Sequence, residues 1–108
     1  MTGAANITKD TLFVLDCDWA DPAYEGRRFY CKDCVTVEGL LALFPERSTR
    51  IEVVRVGWPR PREAVVAALG EANQNLPALA FAEGGFVNEI EPLLAALHTR
   101  HGFPERHP

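Results

Sequence analysis

No run in the 108 residues approaches the ~20 consecutive apolar positions that a membrane-spanning helix requires. Residues 1–10 (MTGAANITKD) have no apolar stretch of the kind that leads a secreted chain, so a cytoplasmic location is expected. Basic residues number 11 against 15 acidic ones, and they are scattered, which leaves no positive stripe for DNA or RNA. Neither nucleic acid nor membrane is therefore an expected partner. Only three cysteines are present, too few for a disulfide scaffold, and a chain of this length buries a core without staples. Repeats and low-complexity segments are absent. One domain over residues 1–108 is predicted, with residues 1–10 and 103–108 as loose termini.

Apolar patterning supplies the elements. Thr11–Cys17 (TLFVLDC) is short, β-branched and apolar, as a buried strand is. Asp18–Arg28 carries Asp-Pro and Glu-Gly turn signals and reads as a loop. From Cys34 the spacing becomes helical, through Val35, Val37, Leu40, Leu41, Leu43 and Phe44, until Pro45 stops it. Gly39 within that helix suggests close packing against a neighbour. Ile51–Val56 is a second strand, and Arg62–Leu69 a second helix ended by Gly70. Ala78–Ala82 and Phe86–Asn88 form a strand pair about Glu83-Gly84-Gly85, and Ile90–His101 is a last helix closed by Gly102. The order is β-α-β-α-β-β-α. A strand–helix–strand opening favours a parallel pair, and the Gly-Gly turn favours an antiparallel one. The expected fold class is α/β, with a mixed four-stranded sheet flanked by three helices.

Chemistry concentrates at Cys31-Lys32-Asp33-Cys34. In a reducing compartment a close cysteine pair is catalytic, redox-sensing or metal-binding more often than structural. A sulfur at a helix N-terminus meets unpaired amides and the positive end of the dipole, which favour its thiolate. If the helix starts at or just after Cys31, that residue is the exposed nucleophile. Cys34, one turn on, then faces the core beside Val35 and Leu41 as the resolving thiol. Lys32 adds positive potential and Asp33 opposes it.

Three local features resemble the thioredoxin-like superfamily. Phe29-Tyr30 before the Cys pair and its helix is similar to the aromatic-flanked Cys-x-x-Cys of glutaredoxins. Leu76-Pro77, with Leu79 two residues on, looks like the Val-Pro-x-Leu element of glutaredoxins and of glutathione-transferase N-terminal domains, where the proline is cis. A Gly-containing hairpin followed by a final helix completes the likeness, over roughly Thr11 to His101. The resemblance implies a small thiol–disulfide oxidoreductase with Cys31 and Cys34 as its catalytic pair. Leu76, Pro77, Tyr30 and Lys32 would border the substrate. The implied partners are a protein or low-molecular-weight thiol or disulfide. No cofactor is expected beyond an external thiol pool, with glutathione one candidate. The sequence departs from that pattern in the thirteen residues between Cys17 and Cys31.

Other readings stand beside this one. The domain could be a non-catalytic thioredoxin-like binding module. Cys17, Cys31 and Cys34 could hold a structural metal, although zinc favours two paired knuckles and only one is present. Trp19, Tyr24, Phe29 and Tyr30 form either a small aromatic core that pins the loop or a wall of a ligand cleft. Arg55, Arg60 and Arg62 read as a solvated face that could take a carboxylate. His98 and His101 share a helix side with no acidic partner at matching spacing, and are expected at the surface.

Overall fold

Strand β1 (Thr11–Leu15) is buried at all five positions, as a central strand covered on both faces must be. This computed structural model describes residues 9–108. After β1 come β2 (Trp19–Ala20), β3 (Arg28–Phe29), α1 (Lys32–Leu43), α2 (Pro45–Ser48), β4 (Glu52–Val56), α3 (Glu63–Leu69), β5 (Ala78–Ala80), β6 (Phe86–Val87) and α4 (Ile90–His101). The main sheet has the order β4-β1-β5-β6. β1 pairs parallel with β4 and antiparallel with β5, and β5 pairs antiparallel with β6. The α/β class and the mixed four-stranded sheet match the sequence expectation.

The elements stop where their chemistry requires. Gly70 ends α3 at φ 94°, and Gly102 ends α4 at φ 76°, where its N–H bonds the carbonyl of His98. Both conformations cost little only for a residue without Cβ. Cys34, Val37 and Leu41 of α1, Val65 of α3, and Leu93 and Leu97 of α4 join the strand residues in one core. Each such side chain contributes roughly 1.5–3 kcal/mol through removal of apolar area from water. Among the described residues no helix is long and apolar enough to cross a membrane.

Several expectations change. The described residues form four helices rather than three, because Pro45 ends α1 and also opens α2 at its first position, where a missing N–H costs nothing. Strand β1 stops at Leu15, two residues before Cys17. The loop after it contains the β2–β3 hairpin, with Trp19 opposite Phe29, held by Arg28 Nε on Asp18 Oδ1 at 2.8 Å. The inward face of α1 is Cys34, Val37 and Leu41, while Val35 and Leu43 are exposed. A Cβ on Gly39 would meet nothing within 4 Å, so this glycine faces open space instead of a close neighbour.

The expected loose segment 1–10 lies outside the described residues except for its last two positions, and Asp10 there is buried. At the other end Phe103 is 1% exposed and packs its ring edge-on against Phe44.

Candidate functional site

Cys31 determines where α1 begins. Its backbone is extended (φ −94°, ψ 120°), and its Sγ accepts the N–H of Cys34 at 3.2 Å in the place of an N-cap oxygen. Its carbonyl accepts the N–H of Val35 at 2.9 Å and starts the helical ladder. One turn later Cys34 is fully buried, and its Sγ accepts the N–H of Leu15 at 3.4 Å. The carbonyl of the same Leu15 faces Cys17, whose Sγ donates to it at 3.3 Å. Burial pushes the Cys34 thiol well above the ordinary range, and the nearby Cys31 sulfur adds to the rise. The Leu15 amide opposes both. The arrangement therefore holds one partly exposed sulfur at a helix terminus and one buried neutral thiol a turn away. All three thiols are free.

The sheet register brings further residues to this end of the molecule. β5 runs antiparallel to β1 with Phe13 opposite Ala78. Pro77 and Leu76 therefore continue alongside the last residues of β1, where Cys34 meets Leu15. Both are buried, and the Leu76–Pro77 bond is cis, as the sequence motif suggested; Arg60–Pro61 is also cis. Tyr30 and Lys32 flank Cys31 on the outside, and Tyr30 is 67% exposed. Among the described residues no three His, Cys, Asp or Glu side chains gather as a metal-holding group, and the three cysteines do not form one.

The aromatic residues pack around the loop, the first of the two arrangements expected of them. Trp19 stacks on Trp58 with centroids 6.2 Å apart, and Tyr24 meets Phe29 edge-on at 5.4 Å. The Arg27 guanidinium lies over both Tyr24 and Phe29. These contacts pin the hairpin, and they also wall an open cleft of about 380 Å³ that Tyr30 and Trp58 complete. Cys31 does not line that cleft.

The family model that matches residues 9–105 is described as "Protein of unknown function (DUF3088)". The chain belongs to that family. The match contains every strand and helix, all three cysteines and Leu76-Pro77. No curated protein and no solved structure matches the chain.

Within this DUF3088 chain the sequence reading missed one residue at the cysteine end. Arg62, expected on a solvated face, is only 7% exposed. Its Nε and Nη2 donate to the carbonyl of Trp58 at 3.0 and 2.8 Å, and its Nη1 donates to the carbonyl of Gln74 at 2.7 Å. Gln74 returns a bond, its Oε1 accepting the Arg62 N–H at 2.7 Å. Backbone carbonyls carry no residue-type signature, so nothing in the sequence marks this burial. Arg55, in contrast, is a half-exposed partner of Glu38 at 2.7 Å.

The histidine expectation also changes. His101 Nε2 lies 2.7 Å from Asp10 Oδ2, and the His101 side chain is largely buried. Asp10 is the acidic partner that local spacing along α4 could not reveal. This pair lies at the opposite end of β1 from the cysteines.

Proposed function

We propose that this protein is a small thiol–disulfide oxidoreductase of thioredoxin-like architecture, in which Cys31 attacks a disulfide and Cys34 resolves the product. The observation that carries this reading is the asymmetry of the pair: Cys31 Sγ caps α1 and accepts the Cys34 N–H, while Cys34 is sealed in the core. Cys31 is the partly exposed sulfur within reach of a disulfide, and burial keeps the Cys34 thiol neutral and out of the first step, so the two thiols divide the work. The sheet order β4-β1-β5-β6, with its one parallel and two antiparallel pairs, supports the architectural part of the reading. Leu76, Pro77, Tyr30 and Lys32 border the substrate, and a reducing cytoplasm keeps the thiols free. The reductant is an external thiol.

The chemistry has two steps. The Cys31 thiolate displaces one half of the substrate disulfide as a thiolate, forming a mixed disulfide. The Cys34 thiolate then attacks Cys31 sulfur, releases the second half and leaves Cys31–Cys34 oxidised by two electrons. Mixing reduced protein with an aromatic nitrobenzoate disulfide should release two coloured thiolates per active pair. Cys34→Ser should stop after one, with the mixed disulfide on Cys31, and Cys31→Ser should lose the fast release altogether. Slow, equal reaction of all three thiols would instead favour a binding module.

A further inference from the structure

The buried thiol poses a problem for the proposed reaction. Cys34 must lose its proton to resolve the mixed disulfide, yet its surroundings oppose a negative charge. A cation is needed close by. β1 lies between β4 and β5 in the sheet. Trp58 follows the end of β4, and Gln74 precedes the start of β5. By bonding both carbonyls, the Arg62 guanidinium ties the segment that follows β4 to the segment that precedes β5, the two strands that flank β1, whose last residue Leu15 bonds Cys34 Sγ.

Among the described residues no carboxylate pairs with Arg62, although five arginine–carboxylate pairs satisfy other charges. A buried cation ordinarily has an anionic partner, because its desolvation is costly. Here the neighbouring polar partners are neutral carbonyls. Burial and the adjacent Arg60 weaken the hold of Arg62 on its proton, and the Cys34 and Cys31 sulfurs act in the opposite sense. Cys31, Cys17 and Arg62 are thus among the groups coupled electrostatically to Cys34.

Resting on the redox reading above, we infer that Arg62 is a positioning residue for the resolving step, the standing counter-charge for the thiolate that forms transiently on Cys34. It touches neither substrate nor the reacting sulfurs of the first step. Its role is to make a charge on Cys34 tolerable inside the core, while the two carbonyls hold the guanidinium in place before and after.

The two-phase release from the nitrobenzoate disulfide tests this directly, since the second phase reports Cys34. In Arg62→Gln the second phase should be about tenfold slower at neutral pH, and its pH midpoint should move upward as the thiolate fraction falls. Arg62→Lys, which keeps the charge, should recover most of the rate and the lower midpoint. An unchanged second-phase rate and midpoint in Arg62→Gln would overturn the assignment. So would a lysine variant as slow as the glutamine one with the wild-type midpoint, since that pattern marks a purely structural clamp. Should the glutamine variant not fold, Arg62→Lys decides: a second-phase rate near that of the wild type supports the counter-charge, and one about tenfold slower refutes it. A wild-type protein that releases only one thiolate defeats the redox reading and this inference together. Normal wild-type behaviour with an indifferent Arg62 defeats this inference alone.

Discussion

The two ends of strand β1 treat buried charge in opposite ways. At its start Asp10, 4% exposed, is enclosed by polar partners: Arg100 grips both carboxylate oxygens at 2.6 and 2.8 Å, and His101 bonds Oδ2. The Ala82 N–H adds a further bond, and Arg100 extends the network to Glu83. At the far end of the strand Arg62 is buried with carbonyls alone. Saturated charge of the first kind fixes structure, because every partner is already engaged. Unsaturated charge of the second kind leaves field available for a charge that comes and goes. One strand thus carries a permanent clasp at one end and the cysteine pair at the other.

The comparison breaks most severely at Asp10. Asp10→Ala should cost about 3 kcal/mol in denaturant unfolding, since it strands Arg100 and His101 without their carboxylate. Loss of less than about 1 kcal/mol would reduce the clasp to an ordinary surface pair.

Next in size are the two pH limbs, which should separate the ends. The Arg100 guanidinium, with help from the Ala82 amide and His101, holds the Asp10 carboxyl far below the usual carboxylate range, against the opposing effect of burial. Its folded value is thus below its unfolded value of about 3.9. The stability it contributes is present above that pH and drains away as acid is added. Cys34 does the reverse. Its thiol titrates higher when folded, so the unfolded chain loses its proton first once pH passes about 8.5, and stability falls by up to ~1.4 kcal/mol per pH unit. Unfolding midpoints across pH should show Asp10→Asn flattening the acid limb alone and Cys34→Ala flattening the alkaline limb alone. Crossed effects would mean that the two ends are not independent.

The smallest change serves as a control. Gly39→Ala in α1 has open space for its Cβ and should raise stability by about 1 kcal/mol through helix propensity. Neither pH limb should move. A destabilised variant would show that the groove formed by Val35, Gly39, Leu43 and Leu94 tolerates no added methyl group.

Features encoded over a few residues were legible in the sequence. The apolar runs gave β1, β4 and β5 within one or two residues, Gly70 and Gly102 marked true helix ends, and α1 starts just after Cys31, as supposed for a sulfur at its N-terminus. Longer-range partnerships were not. The clasp joins Asp10 to Arg100 and His101 across nearly the whole described chain, and Arg62 is buried by carbonyls that any residue supplies. The inner face of α1 was misjudged because Val35 and Leu43 look as apolar as Val37 and Leu41, and only packing separates exposed from buried. The β2–β3 hairpin has two residues per strand, and its support comes from ring stacking and the Arg28–Asp18 pair rather than from alternation.

The clasp at Asp10 also sets an order of events during synthesis. Its acidic half is made at the start of the described chain, and its basic half ninety positions later. The central strand must therefore wait on the ribosome for both of its neighbours, β4 and then β5, and finally for the last turns of α4. Closing so long a loop is entropically expensive, and contacts of such separation form late. A nascent chain halted before Arg100 lacks its latch, and its five-residue central strand stays within reach of chaperones until Arg100 and His101 have been made.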